Sequence, residues 1–279
     1  MKMKFECKVS IAACAMALFA AMSVAQTQQV RVFSHRGGRM EHDENTMEAF
    51  KASHRAGYTG YETDIRITKD GELIVTHDSK LERTTNGVGA VEEKTLAELR
   101  RLDTKKGNKM ITLDELMDFL KDKPGLYVEF EMKTNPSDLY PEDKLPEYVD
   151  KLYKKVMAKK PKDAEFIFTS SDTRSLRCMQ QRHPDADLLL ITSDPVSKAT
   201  VNLCKGLGIK RLGSKMGGTS REAVKLAHKE GLTVSLWPGQ SIEDFMLGVY
   251  LGADYLCTDI PIQQKDWAEK NAPWINVKY

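Results

Sequence analysis

Short apolar runs and amphipathic stretches alternate along this chain from about residue 30 to its end. Apolar or alternating segments, which predict β-strands, occupy residues 30–34, 60–68, 126–132, 165–170, 187–192, 209–214, 233–237 and 254–258. Helical spacing of apolar positions predicts helices over residues 46–56, 113–121, 147–159, 174–181, 195–207, 220–230 and 242–251. Eight strand–helix units in about 250 residues predict a TIM (β/α)8 barrel, with a doubly wound open sheet as the structural alternative.

One insertion interrupts the regular spacing after the second strand. Lys69-Asp70-Gly71 is a turn signal, so residues 72–76 are predicted to return along that strand as a short hairpin. Residues 82–112 are interpreted as a small cap over the barrel mouth, with a short helix near residues 96–102. Asn45, with Glu48 three residues later, is predicted to cap the first helix rather than to contact a ligand.

The first 25 residues have the pattern of a secretory signal peptide. Lys2, Lys4 and Lys8 precede a short apolar run, and the small residues at 23–25 fit a cleavage site. The run is too short for a comfortable membrane span. Its lipobox-like Cys14 lies inside the run rather than after it, which disfavours a lipid anchor. We therefore expect a periplasmic or secreted protein, with a single domain over residues 26–279 and no stable membrane insertion after cleavage.

Composition excludes several functions. The 279 residues are 41% hydrophobic and 29% charged, which allows one large domain with a proper core. Loss of the predicted signal peptide lowers the formal charge from +2 to 0, so we expect no nucleic-acid partner. No protein partner is implied. The three cysteines that remain include no C-x-x-C pair, which argues against a disulfide framework or a zinc site.

Carboxylates at alternate positions mark two of the predicted strands. Glu62 and Asp64 share one strand face, and Glu129, Glu131 and Lys133 share another. Two inward carboxylates need a compensating charge, and an oxygen-only cluster suits a hard cation. We predict one divalent cation, Mg²⁺ or Ca²⁺, held by Glu62, Asp64 and Glu131. Glu129 is left as a deeper structural charge or a supporting group.

Further candidates lie where other predicted strands and the hairpin end, which is where TIM-barrel active sites form. His35 follows the first strand and His77 follows the hairpin, and imidazoles titrate near neutrality, so this pair is assigned to acid–base catalysis. Arg36 and Lys133 are assigned to phosphate binding. Trp237 is either a wall for the leaving group or ordinary packing.

These residues resemble the motifs of the glycerophosphodiester phosphodiesterase family. The resemblance spans roughly residues 30 to 270 and is carried by segments 35–38, 44–50, 61–71, 75–78, 81–85, 131–133 and 252–261. It implies a TIM barrel that releases glycerol 3-phosphate and an alcohol from deacylated phospholipids. It also implies a metal on Glu62, Asp64 and Glu131, acid–base roles for His35 and His77, and a phosphate contact for Arg36.

The chain departs from the family pattern at three places. Asp43 stands where the family usually has proline, which predicts a looser first loop. Ser170-Ser171 and Trp237-Pro238-Gly239 differ where a leaving group would sit, so the head group stays open. A sphingomyelinase D-like or phosphatidylinositol phospholipase C-like enzyme acting on phospholipids is one alternative. The polar loop over residues 86–94 favours soluble diesters over it. A non-catalytic phosphodiester-binding protein is the other.

Overall fold

The computed structural model describes residues 29–279, and the predicted signal peptide lies outside them. Within this range ten strands form, which are β1 (Val30–His35), β2 (Gly60–Ile67), β3 (Leu73–Val75), β4 (Tyr127–Met132), β5 (Glu165–Ser170), β6 (Asp187–Pro195), β7 (Arg211–Lys215), β8 (Thr233–Gly239), β9 (Tyr255–Thr258) and β10 (Val277–Lys278). The predicted strands are all present, with bounds shifted by a few residues.

Eight of these strands close into a parallel barrel in the order β1-β2-β4-β5-β6-β7-β8-β9. The β1 strand pairs in parallel with both β2 and β9, so the sheet has no free edge there. This closure confirms the TIM barrel and excludes the doubly wound open sheet. β10 was not predicted, and its two residues pair in parallel with Val30 and Arg31 at the start of β1.

Nine α-helices are present among the described residues. They are α1 (Met47–Arg55), α2 (Leu96–Leu99), α3 (Leu113–Leu120), α4 (Leu145–Ala158), α5 (Thr173–Arg182), α6 (Lys198–Gly206), α7 (Arg221–Lys229), α8 (Ile242–Leu251) and α9 (Pro261–Asn271). Of these, α2 lies in the cap, α9 follows the last barrel strand, and the others lie between the barrel strands along the chain. Several of these helices begin at a capping side chain that the local sequence supplies. Thr112, for example, accepts from the amide of Glu115, whose side chain accepts in return from the amide of Thr112.

Two apolar layers support the barrel. The larger lies between strands and helices, and fully buried side chains such as Phe50, Tyr61 and Phe130 belong to it. Burying a side chain of this size contributes roughly 1.5–3 kcal/mol. The smaller lies inside the barrel and consists of Phe33, Tyr127, Ile167, Leu189 and Cys257. The inner layer leaves space above it for a site at the carboxyl ends of the strands.

The predicted hairpin and cap are confirmed. β3 runs antiparallel to β2, with Ile65 opposite Val75, and Gly71 at the turn has a φ of +81°. The cap contains a short 3₁₀ helix, Val91–Glu93, followed by α2. A small apolar cluster including Ile74, Leu81, Val91 and Leu99 joins it to the hairpin. Among residues 29–279, no helix has the length and apolar content that a membrane crossing requires.

Candidate active site

A cavity of about 310 Å³ opens at the carboxyl ends of the barrel strands. Seven of the eight predicted site residues line it, namely His35, Arg36, Glu62, His77, Glu131, Lys133 and Trp237. The eighth, Asp64, is fully buried and belongs to the carboxylate cluster beside it. The structure therefore brings all the predicted residues together at one end of the barrel.

The carboxylates converge because of strand register. Glu62 and Asp64 are two apart on β2, and Asp64 lies beside Glu131 on β4. One oxygen from each of the three lies within 4.8 Å of the others. Oε1 of Glu62 and Oδ1 of Asp64 are buried and have no hydrogen-bond partner among the described residues. Three carboxylates with two orphaned buried oxygens fit a hard divalent cation such as Mg²⁺ or Ca²⁺.

The pKa values of this cluster reflect its crowding. Burial, together with the neighbouring Asp64 carboxylate, raises the pKa of Glu62 well above its usual range. Burial also acts to raise the pKa of Asp64, but Arg36 and other cationic neighbours outweigh it and lower that pKa. Without a cation the pair therefore favours one proton on Glu62 and a charged Asp64.

His35 is held by a carboxylate from the other end of the chain. Its Nδ1 lies 2.5 Å from Oδ1 of Asp259, which follows β9 and is fully buried. Its Nε2 lies 3.7 Å from Oε2 of Glu62. Burial, and then the charge of Arg36, lower the pKa of His35. The imidazole is therefore oriented with Nε2 toward the carboxylate cluster.

His77, which follows the hairpin, is also bound through Nδ1 by an aspartate. Its Nδ1 lies 2.6 Å from Oδ1 of Asp78, and Arg83 from the cap donates through Nε to the other oxygen of Asp78 at 2.5 Å. The backbone carbonyl of His77 accepts from Arg66 at 2.8 and 3.0 Å. Burial would raise the pKa of Asp78, but its hydrogen bonds to Arg83 and His77 lower it to about 2. The Asp78 carboxylate therefore remains charged above that pH.

Arg36 is held by carboxylates as well as facing the cavity. Its Nη1 donates to Glu44 at 2.9 Å, and its Nε lies 3.3 Å from Oδ2 of Asp64 without hydrogen-bond alignment. The backbone has a φ of +52°, a left-handed conformation uncommon for a non-glycine residue, and its N–H donates to Glu62. Among the described residues, Nη2 of Arg36 makes no hydrogen bond.

Lys133 is the second cation of the cavity. Its Nζ lies 2.9 Å from Glu131 and 3.8 Å from Asp64. Burial would lower the pKa of Lys133, but Glu131 and Asp64 outweigh it and raise that pKa, so the ammonium stays charged. Lys133 therefore both neutralises the carboxylate cluster and offers a positive charge to the cavity.

The expectation that Asn45 caps α1 and that Glu48 completes a capping box was wrong. Thr46, not Asn45, caps α1 by accepting from the amide of Ala49. Asn45 has a φ of +59° and donates to Oδ2 of Asp64 at 2.8 Å, so it orients a member of the carboxylate cluster. Glu48 pairs with Arg55 instead of completing a capping box.

Asp43 tightens the first loop instead of loosening it. One of its oxygens accepts from the hydroxyl of Thr104, from the amide of Lys106 at 2.8 Å and from Asn108 at 3.2 Å. The loop after β1 is therefore tied to the cap beside Glu44, which holds both Arg36 and Arg83.

Some residues of the site were not assigned from sequence. Asp259 follows β9, and its contact with His35 spans 224 residues and has no local signal in the sequence. The sequence gives no indication that Asp78 would bind the ring of His77, apart from their being adjacent. Glu129 is a buried carboxyl in the cavity wall, hydrogen-bonded by Tyr127 at 2.5 Å, and burial raises its pKa to about 7. Trp237 lines the cavity too, and its indole N–H is buried without a partner among the described residues.

The fold and the site together define a TIM-barrel enzyme with a charged cavity, two carboxylate-supported histidines and a carboxylate cluster able to hold a divalent cation.

Comparison with known proteins agrees with this class. A sequence profile of the Glycerophosphoryl diester phosphodiesterase family matches residues 35–263. A glycerophosphodiester phosphodiesterase from Bacillus altitudinis is 28% identical over 242 residues, covering 83% of this chain and 95% of the relative. Another, from Caldanaerobacter subterraneus subsp. tengcongensis, is 41% identical over 123 residues, covering 41% of this chain and 50% of the relative.

The fold also matches a solved structure. The phosphodiesterase OLEI02445 of Oleispira antarctica, in complex with the product sn-glycerol-3-phosphate, has a TM-score of 0.77 and 21% identity. The match covers 86% of this chain and 96% of that one. Since the family profile covers most of the chain, this chain belongs to the glycerophosphoryl diester phosphodiesterase family and is an enzyme of that class.

Proposed function

We propose that this enzyme hydrolyses glycerophosphodiesters to glycerol 3-phosphate and an alcohol, using one divalent cation and the pair His35 and His77. The observation that carries the proposal is the shared cavity. Two imidazoles, each bound through Nδ1 to a carboxylate, line the same cavity as Glu62 and Glu131 of the carboxylate cluster. The names of the relatives agree with the substrate class.

Glu62, Asp64 and Glu131 would hold the cation, with Asn45 fixing the orientation of Asp64. When bound, Mg²⁺ or Ca²⁺ would neutralise phosphate charge and make phosphorus easier to attack. The orphaned oxygens of Glu62 and Asp64 support this role, because leaving buried carboxylate oxygens unpaired is otherwise costly.

The histidines would move the protons of the reaction. One imidazole would accept a proton from the attacking oxygen, and the other would donate one to the leaving alkoxide. Because Asp259 and Asp78 occupy the Nδ1 atoms, both rings would act through Nε2. The two carboxylates would also stabilise whichever imidazole becomes charged.

Arg36 and Lys133 would bind the phosphate. The free Nη2 of Arg36 and the ammonium of Lys133 would offset the charge that develops on the non-bridging oxygens. Trp237 would form a wall beside the leaving group.

Release of glycerol 3-phosphate from glycerophosphocholine, glycerophosphoethanolamine and glycerophosphoinositol tests the proposal, with Mg²⁺, with Ca²⁺ and with chelator. We expect metal-dependent turnover of at least one diester. His35→Ala and His77→Ala should each lose on the order of 10²–10⁴ in kcat with substrate binding largely retained.

The matched control is His183→Ala, because His183 also pairs with an aspartate, Asp150, but outside the cavity. It should keep full activity. Near-normal turnover in both active-site variants would reject the histidine assignment, and no turnover of any diester by metal-loaded protein would reject the substrate class.

We further propose that the enzyme acts outside the cytoplasm, as a periplasmic or secreted protein. The basic, then apolar, then small-residue pattern of the first 25 residues supports this. Cell fractionation and determination of the mature N-terminus test it. Cleavage after Ala25 is expected, whereas an intact N-terminus in the cytoplasmic fraction would contradict it.

A further inference from the structure

The buried carboxyl of Glu129 has no role in the chemistry proposed above. It lies on β4, two residues before Glu131 on the same face, and is 4% exposed. Its Oε1 accepts from the hydroxyl of Tyr127 at 2.5 Å. Its other oxygen has no hydrogen-bond partner among the described residues, although the side chain lines the cavity. A buried carboxyl with one oxygen open to a cavity can accept a hydrogen bond from a molecule bound there.

Small residues across the barrel make room in front of Glu129. β4 and β8 are four strands apart in either direction around the eight-stranded barrel, so Ser235 on β8 lies on the far wall. Gly213 on β7 also lines the cavity, and Leu189 packs so closely against it that a Cβ there would come within 2.9 Å of Leu189. One part of the cavity wall, called the chamber from here on, is formed by Phe33, Glu129, Leu189, Gly213, Ser235 and Cys257.

Glu129 lies beside the carboxylate cluster without joining it, because it pairs in register with Glu62 on β2. Glu129 lies two residues along the strand from Glu131, which corresponds to about 6.6 Å. Its oxygens do not join the set of three carboxylates that lie within 4.8 Å of one another. The other five residues that define the chamber are apolar or small, although Glu62, Glu131 and Lys133 line the same cavity.

We propose that Glu129 is a substrate-binding residue, and that this chamber takes a hydroxyl or primary ammonium group of the diester as a hydrogen-bond donor to its open oxygen. The proposal rests on the phosphodiesterase activity proposed above. The donor has two possible sources, which are the glycerol half that all substrates share and the head group. A quaternary ammonium carries no N–H and cannot make this hydrogen bond.

The experiment compares kcat and KM of Glu129→Gln with those of the full-length parent enzyme at pH 8. The substrates are glycerophosphoethanolamine, glycerophosphoglycerol and glycerophosphocholine, each with saturating Mg²⁺. In the variant the amide oxygen of the introduced glutamine can accept the hydrogen bond from the Tyr127 hydroxyl. The amide N–H₂ then faces the chamber, where it cannot accept a hydrogen bond from the substrate. We expect a loss of roughly tenfold or more in kcat/KM, mainly through KM.

Ser235→Val gives a second, independent perturbation, because it narrows the chamber from the opposite wall and leaves every carboxylate in place. It should raise KM for the same substrates as Glu129→Gln does. Glu222→Gln, on the exposed face of α7, is the matched control and should change nothing. Calorimetric titration with Mg²⁺ and thermal unfolding accompany each variant.

Two outcomes support the proposal and identify the source of the donor. An equal loss for all three diesters assigns the donor to glycerol, and a loss that spares glycerophosphocholine assigns it to the head group. Unchanged KM for all three diesters would overturn it. A loss that disappears at higher Mg²⁺ would also overturn it, since Glu129 would then act on the cation. Turnover by the parent enzyme tests the phosphodiesterase activity separately.

Discussion

Replacing Asp259 by Asn should disable His35 through a change of tautomer. Both oxygens of Asp259 accept hydrogen bonds, Oδ1 from His35 at 2.5 Å and Oδ2 from Nε of Arg39 at 2.8 Å. Asparagine has one acceptor oxygen, and arginine can only donate, so Arg39 should take that oxygen. The amide N–H₂ would then face Nδ1 of His35 and place the imidazole proton on Nε2.

The expected loss is large whichever role His35 has. As a base it would lose the Nε2 lone pair, and as an acid it would lose the carboxylate that stabilises the imidazolium. Either loss should lower kcat on the order of 10²–10⁴-fold, which corresponds to about 3–5 kcal/mol of transition-state stabilisation. Glycerol 3-phosphate release at saturating metal measures it, with metal affinity and thermal unfolding checked in parallel.

Arg39→Ala supplies the decisive control, because the Arg39 side chain is 27% exposed and its removal should be tolerated. In Asp259→Asn with Arg39→Ala, the amide is free to turn its oxygen toward Nδ1. The double variant should therefore recover at least about tenfold over Asp259→Asn alone. A single variant within threefold of the parent, or a double variant no better than the single one, would refute the tautomer explanation.

Three further predictions concern the surroundings of the site. Glu131→Gln should weaken Mg²⁺ or Ca²⁺ binding by about tenfold or more. At 100 times the dissociation constant the cation should stabilise the parent by about 2.7 kcal/mol, so equal metal-induced shifts in Tm would contradict the assignment. Asp43→Ala should speed hydrogen exchange at the amide of Lys106 and lower the free energy of unfolding by about 1–3 kcal/mol, and Asp43→Asn should have an intermediate effect. Unchanged exchange would show that the contact between Asp43 and the cap is unimportant. In the folded protein the pKa of Asp78 is lowered from 3.8 to about 2. Its contribution to the free energy of unfolding, at most about 2 kcal/mol, is therefore complete above pH 4 and is lost as the pH falls through 2. Asp78→Asn should flatten the dependence of unfolding free energy on pH in that window, measured in chelator, and an unaltered slope would argue against it.

The barrel and the inward carboxylates were predictable because both follow from short-range periodicity. Alternation fixes which strand residues share a face, and parallel strands bring their carboxyl ends to one rim, so Glu62, Asp64 and Glu131 could be placed together. The ties between distant segments could not be predicted. Asp43 reaches residues 104–108, and Asp259 reaches His35 across the whole chain.

The prediction that Asn45 caps α1 was wrong for a different reason. Asn45 and Thr46 are adjacent and both are good cap residues, so local propensity could not choose between them. The left-handed backbone at Asn45 decides the matter by turning its amide toward Asp64. That conformation depends on the loop as a whole and is invisible in a pattern of residue types.

Barrel closure links the assembly of the protein to its activity. β1 pairs with β9, so residues 31–34 meet residues 255–258 only after the intervening chain has folded into place. The same pairing brings Asp259 to His35. A partly folded chain can hold native helices and several paired strands and still lack an oriented His35. Such long-range pairings form slowly, so recovery of turnover during refolding will lag behind recovery of helical signal. With His35 in its proposed role, recovery of catalytic activity would report the closure of the barrel between β1 and β9.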